Sequence, residues 1–449
     1  MNPKKTGTLR TLITQLKSKT IQLKGTNKKL LELSFSGGNI TSDGGVLLLQ
    51  QADKRLQLTK AISNILPDPR NQSLITHSWL SMIQQRIFAI ALGYEDLNDH
   101  EYLRKDPAIQ SAVDREDELA STSTLCRLEQ TASKESMIKF HEILFDIFIK
   151  SFKEAPEEII LDFDATDSII HGTQEGRAFN GYYDNYCFLP LYVYCGHHLL
   201  AAYLRQSNKD GARHAWAILS LLIKAIRKVW PNTRIMFRGD SGFCRHKMFS
   251  WCERHNIYYI VGLAKNSRLL PLAEPYMSKA EEYYDHTQEK QCLFSEVRYA
   301  AGSWDKERRI IIKSEYNDKG ENTRFVVTNC SIEAEQLYKE IYCARGDMEN
   351  RIKEQQLGLF ADRTSCHAWW PNQLRLLFSG MAYILISYIR SYALQGTVLA
   401  KAQVDTIRLR LFKIGAAIIC NTRRIRFLLS SGFVNQNIFI FAMSRLSTV

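Results

Sequence analysis

Three acidic positions carry the chemistry this sequence could perform. Asp162 and Asp164 sit in Ile159-Ile160-Leu161-Asp162-Phe163-Asp164-Ala165, an apolar run that reads as a buried strand. Side chains alternate along a strand, so the two carboxylates share one face and Leu161, Phe163 and Ala165 take the other. An unpaired carboxylate is costly to bury, and a divalent cation or an arginine would offset that cost. Asp240 follows the strand Arg234–Arg238 and precedes Ser241-Gly242. Ligands of α/β sheets gather at such strand ends, although the same residue could cap the next helix, a task also open to Ser241. Glu349 shares one helical stripe with Tyr342, Arg345, Lys353 and Gln356, and has a cation four residues to either side. Alone, that stripe reads as a surface salt-bridge ladder. Together, acids from two strands and a helix can converge on two divalent ions about 3.5–4 Å apart, which clamp the attacking and leaving oxygens in a displacement at phosphorus. A carboxylate set without His or Cys suits Mg2+. The expected chemistry is nucleotidyl transfer or phosphodiester hydrolysis.

The elements that must position these acids follow from periodicity. Residues 46–152 read as mainly helical, with Trp79, Leu80, Met82, Ile83, Ile87, Ile90 and Ala91 forming an apolar stripe, and a second helix at Met137–Phe152. The order then changes to strands at Ile159–Ala165, Cys187–Cys195 and Leu199–Arg205, a helix at His214–Val229, a strand at Arg234–Arg238, a helix at Arg245–His255 and a strand at Tyr258–Leu263. Residues 294–330 are β-rich, with segments at Phe294–Tyr299, Arg309–Glu315 and Phe325–Thr328. From Ile332 to the end the chain reads as mainly helical. Gly346 weakens the stripe around Glu349. His197 and His198, read as neighbours on a strand, point to opposite faces and are taken as structural.

Composition narrows the classes. At 449 residues the chain suggests about three domains, and 45% hydrophobic with 24% charged residues is ordinary globular composition. Ten cysteines without a C-x-x-C pair, and no signal peptide, argue against a disulfide framework or a zinc ribbon. The apolar run Leu376–Ile389 is shorter than the roughly 18 residues of a membrane span and is read as a buried core helix. The net charge is +12 and lies at the ends. Eight basic residues precede Glu32 with no acid among them; Arg408, Arg410, Lys413, Arg423, Arg424, Arg426 and Arg445 follow Asp405, again with none. Such ends suit a polyanion held at more than one place, with steep salt dependence. A short amphipathic arm is expected around Leu9, Leu12, Ile13 and Leu16.

These residues resemble the insertion-sequence transposases of the DDE class, group 1. The likeness is carried by Leu161-Asp162-Phe163-Asp164-Ala165-Thr166, by Phe237-Arg238-Gly239-Asp240-Ser241-Gly242-Phe243, and by Tyr342-x2-Arg345-x3-Glu349. The last is similar to the Y-x2-R-x3-E-x6-K signature of the subgroup with a β-strand insertion before the catalytic helix. Gly93-Tyr94-Glu95-Asp96-Leu97-Asn98-Asp99 and Leu103-Arg104-Lys105-Asp106-Pro107 resemble that group's helical N-terminal region. The resemblance implies an α/β fold: an RNase H-like mixed sheet flanked by helices and interrupted by a β-rich insertion, with a helical N-terminal DNA-binding region and a helical C-terminus. The implied division is a basic arm and helical DNA-binding region at 1–152, the first part of the catalytic domain at 153–265, the insertion at 266–331, the catalytic helix and the rest of that domain at 332–395, and a basic helical region at 396–449.

The same resemblance implies Asp164, Asp240 and Glu349 as the catalytic, Mg2+-binding acids, with two ions and Mn2+ able to substitute. Asp162 is the alternative first acid; Thr166 gives Asp164 the family's spacing. Tyr342 and Arg345 would contact the DNA backbone. The signature's last Lys is Gln356 here, so Lys353, one turn earlier, is the stand-in. Trp304 in the insertion would stack a flipped base or pack the insertion's own core. The implied function is a transposase that binds terminal inverted repeats and cuts and joins double-stranded DNA, as a homodimer or larger synaptic assembly at the bacterial nucleoid in the cytoplasm, with no membrane partner. The rivals are a nuclease without strand transfer and a non-catalytic DNA-binding regulator.

Overall fold

Apolar runs bounded by turn residues make the central strands, which are buried on both faces, and these with more exposed strands toward one edge form one mixed sheet of eight strands. In chain order these are β1 (Glu158–Ala165), β2 (Leu191–Cys195), β3 (His198–Tyr203), β4 (Arg234–Gly239), β5 (Tyr258–Leu263), β6 (Gln291–Tyr299), β7 (Arg308–Asn317) and β8 (Gly320–Thr328). Their spatial order is β6-β7-β8-β5-β4-β1-β2-β3. A computed structural model describes residues 20–25 and 29–447 of the chain, so the arm expected around Leu9–Leu16 lies outside the described residues.

The first three strands run antiparallel to one another, and β4 and β5 then run parallel to β1. Parallel neighbours require crossovers. Helix α3 (Ala215–Val229) leads from β3 to β4, and α4 (His246–Arg254) leads from β4 to β5. Both pack on the face bearing Leu161, Phe163 and Phe237, together with Leu219, Ile223 and Phe249. The opposite face carries Asp162 and Asp164. There α6 (Gly346–Lys353) contributes Met348 and Ile352 to a second core shared with α1 (Trp79–Leu92), α2 (Lys134–Lys150) and α7 (Trp369–Tyr388). One core therefore joins the N-terminal helices to the segment that carries Glu349. Helix α7, continued to Ala393, is long and apolar enough to cross a membrane, but 83% of its most apolar window is buried in this core.

Four local expectations are corrected. The 266–331 segment is β-rich, yet it begins with the helix α5 (Leu270–Thr287), and its three strands extend the main sheet from the edge of β5. The run Cys187–Cys195 breaks at Leu189-Pro190 into two strands, because proline cannot donate to a ladder. His197 lies in the β2–β3 turn, so its ring sits 4.0 Å from that of His198, tilted by 35°, instead of facing away. The C-terminal region is not all helical: Ala416–Asn421 and Arg424–Leu429 form a hairpin paired to Ile40–Thr41. All ten cysteines are free.

Candidate active site

The register between β1 and β4 assembles the site. Arg238 pairs with Asp162 and Gly239 with Phe163, so Asp240 emerges beside Asp164 where the two parallel strands end. Adjacent strands lie about 4.8 Å apart, which brings residues 76 positions apart in sequence into direct neighbourhood. The same register gives Asp162 a partner. Its carboxylate is held by the Arg238 guanidinium in a two-pronged pair, Nη2 donating to Oδ2 over 2.7 Å, and both residues are buried. Arg238 also donates to the Ile341 carbonyl, which ties the sheet to the segment leading into α6. Asp162 is thus satisfied by a two-pronged internal pair, whereas Asp164 meets only one nitrogen of Arg345, at 3.4 Å.

Asp164 accepts from the Ala165 amide over 2.9 Å, and its Oδ2 stands 3.4 Å from Nη1 of Arg345. Burial pushes its carboxyl up to about 6; Arg345 opposes the shift, and the charges of Asp240 and Glu349 add to it. Asp240 caps the short Ser241–Phe243 turn, its Oδ1 accepting from the Gly242 amide over 2.9 Å. It does not cap α4, which starts after Arg245 without a side-chain cap. Glu349, on the first turn of α6, is paired with Arg345 one turn earlier. The Arg345 fork therefore bridges Asp164 and Glu349.

Tyr342 reaches the same strand ends. A Cβ added to Gly262 of β5 would meet the Tyr342 Oη at 2.7 Å and the Ser241 nitrogen at 2.8 Å. Glycine is required there because a phenol and a backbone turn share its surface. Burial raises the Tyr342 phenol, Arg345 opposes that rise, and Asp240 adds to it. Two functional candidates escaped the sequence reading. Gly262 is one. The other is Tyr183, in the turn of the small hairpin Ala178–Asn180 and Asn185–Phe188; burial raises its phenol to about 12, with the charges of Asp167, Asp164 and Asp240 adding. Gly262 shows itself only through its approach to Tyr342 and Ser241, and Tyr183 only through its nearness to the acids' charges; no local motif marks either.

The remaining expected residues fall elsewhere. Gln356 donates to the Asp167 carbonyl over 2.9 Å and so latches the segment after α6 to the loop after β1, a structural use of that position. Lys353 is exposed on α6. Trp304 is half-buried against Phe249 and Tyr299, with Arg308 over its ring. It precedes β7, whose first residues lie opposite Thr328 and hence beside Ile260 within β5. The acids follow the carboxyl ends of β1 and β4, so Trp304 sits toward the other end of the sheet. Its placement is that of a packing residue, the other reading the sequence allowed.

Among the described residues, no three His, Cys, Asp or Glu side chains already stand together as an ion cage. The donor chemistry nevertheless fits a hard cation: the candidates offer only carboxylate oxygens, and Asp164 is a buried acid whose ionised form the surroundings penalise. Arg345 is the cation that partly answers that penalty here.

The family model described as Transposase DDE domain group 1 matches residues 23–449. No curated protein sequence matches. Among solved structures, the cryo-EM structure of a piggyBac transposase synaptic complex with hairpin DNA is similar at a TM-score of 0.42 and 12% identity, over 91% of this chain and 82% of that one.

Proposed function

Because this chain belongs to the transposase DDE domain group 1 family, we propose that it binds the terminal inverted repeats of an insertion sequence and catalyses Mg2+-dependent cleavage and strand transfer of DNA. Its catalytic acids in this reading are Asp164, Asp240 and Glu349. The observation that carries the reading is the β1–β4 register, which puts Asp240 beside Asp164 while the Arg345–Glu349 turn reaches the same carboxylate.

Asp164 and Asp240 would hold the metal between the strand ends, and Glu349 would complete the set from α6. Two bound ions would polarise the phosphodiester and ease deprotonation of the attacking hydroxyl. The chain's own residues do the rest. Arg345 bridges Asp164 and Glu349 in the free protein and offsets part of their charge, and its planar fork suits a phosphate once DNA arrives. Tyr342 presents its phenol beside the Asp240-Ser241 turn, where it can donate to a phosphate oxygen. Asp162 and Arg238 act as a strut: their pair and the bond to the Ile341 carbonyl fix how the segment before α6 meets β1 and β4. Synapsis of two DNA ends would need a homodimer or larger assembly, acting at the nucleoid.

Asp164→Asn, Asp240→Asn and Glu349→Gln should each abolish cleavage of an inverted-repeat duplex and leave salt-sensitive binding intact. Cleavage that persists in any of them removes that residue from the triad. Strand-joined product from pre-cut ends separates a transposase from a plain nuclease, and absence of any cleavage by the wild type would favour a DNA-binding regulator.

A further inference from the structure

The seven cations that follow Asp405 are not equivalent. Arg408 pairs with Asp405 over 2.6 Å and donates to the carbonyls of Ala91 and Gly358. Lys413 pairs with Asp43 over 2.6 Å and lies above the Tyr94 ring. Arg445 packs over Tyr392 and Phe441. These three hold the fold together. Arg410, Arg423, Arg424 and Arg426 are exposed, and no ion pair among the described residues includes them; the last three stand on one hairpin.

These three arginines share one device. The hairpin Ala416–Asn421/Arg424–Leu429 is rooted by the pairing of Ala416 and Ala417 with Thr41 and Ile40, and by Ile418 and Phe427, which pack into the core. Beyond that root every residue from Ile419 to Arg426 is exposed. The free part holds three cross-strand pairs, Ile419 with Arg426, Cys420 with Ile425 and Asn421 with Arg424, and so projects roughly 10 Å at about 3.4 Å per pair. Asn421 closes the turn, its side chain accepting from the amides of Arg423 and Arg424 over 3.1 and 3.0 Å. Paired positions point to the same side, so Arg424 and Arg426 share the face of Ile419 and Leu428, away from Phe427, with Arg423 at the tip.

A bare two-stranded ribbon is marginal in water. This one also exposes Ile419, Ile425 and Leu428 by 46%, 40% and 43%. Its charge is wholly positive, since the chain has no acid after Asp405. The major groove of duplex DNA admits a two-stranded ribbon, supplies phosphates on both rims and offers thymine methyls to apolar side chains. We propose that this hairpin is a second DNA contact, separate from the acids, that enters the major groove of the bound duplex with Arg423, Arg424 and Arg426 on its phosphates. The proposal rests on the DNA-acting reading above and adds to it the element that grips the duplex.

The test uses the full chain and a duplex oligonucleotide in titrations at several salt concentrations. Each phosphate contact contributes about 0.9 to the slope of log affinity against log salt. The triple variant R423Q/R424Q/R426Q should bind more weakly, with a slope shallower by about 2.7, while R423K/R424K/R426K keeps the wild-type slope. Duplex DNA should also slow thiol modification of Cys420 near the tip. A folded glutamine variant with wild-type affinity and slope, or a Cys420 modified equally fast with DNA present, overturns the ribbon alone. A wild-type chain that binds no duplex overturns both readings.

Discussion

Asp164→Asn tests the electrostatics of the site without any nucleic acid. The Asp164 carboxyl is raised from 3.8 to about 6, chiefly by burial, with Asp240 and Glu349 adding and Arg345 opposing. Its folded pKa thus lies above its unfolded one, so the folded state binds the extra proton between roughly pH 4 and 6. Stability should fall as pH rises through that window, and the full penalty stands above it. About two pKa units at 1.36 kcal/mol each set a ceiling of about 3 kcal/mol. The side chain is only 15% exposed, so solvent screening takes a small part of this. Asparagine removes the charge and hence the penalty. In urea titrations without divalent ions, the variant should match the wild type near pH 4 and exceed it by about 1–3 kcal/mol at pH 8. Mg2+ at about a hundredfold excess over its Kd should then stabilise the wild type by about 2.7 kcal/mol and leave the variant unmoved. A difference that is the same at both pH values, or a variant less stable at pH 8, would refute the reasoning.

Other substitutions separate strut from site. Arg238→Ala strands the buried Asp162 carboxylate, so a loss of about 3–5 kcal/mol of unfolding free energy is expected in denaturant titrations; a loss under about 1 kcal/mol would mean the pair is not structural. Gly262→Ala forces the Tyr342 phenol and the Ser241 amide apart, costing about 1–3 kcal/mol and most of the cleavage rate. Adding Tyr342→Phe should recover only part of that stability, since the backbone contact remains. Gln356→Ala should cost about 1–2 kcal/mol through the lost bond to the Asp167 carbonyl, read by thermal melting, and unchanged melting would deny the latch.

Much of this was legible in the sequence, for physical reasons. The strands that carry Asp164 and Asp240 announce themselves as continuous apolar runs, and α1 and α7 as apolar segments with few charges, because burial leaves those compositions behind. The choice between Asp162 and Asp164 could not be read. Both face one way, and the residue that distinguishes them, Arg238, comes from a strand 76 residues later. Helix α5 was hidden by Pro271 at its start and Pro275 inside it, with only Ala273, Met277 and Ala280 buried. The C-terminal hairpin was hidden because its alternation is blurred by exposed apolar residues on both strands. Trp304 and Gln356 stood open in the sequence, one between stacking and packing and the other as a departure from the signature Lys, and only their neighbours in space show the contacts they make.

The strands β6 to β8 stand between β5 and α6 in the chain and are stitched to β5 by an unbroken ladder. They behave as a beam, not as an appendage. Any slip of the β8 ladder by one residue would reverse which way its side chains face and shift the anchorage from which the chain departs toward Glu349. Evolution can therefore lengthen or decorate the far turn at Asn317–Gly320 freely, while the half nearest β5 must keep its alignment for the third acid to arrive on target.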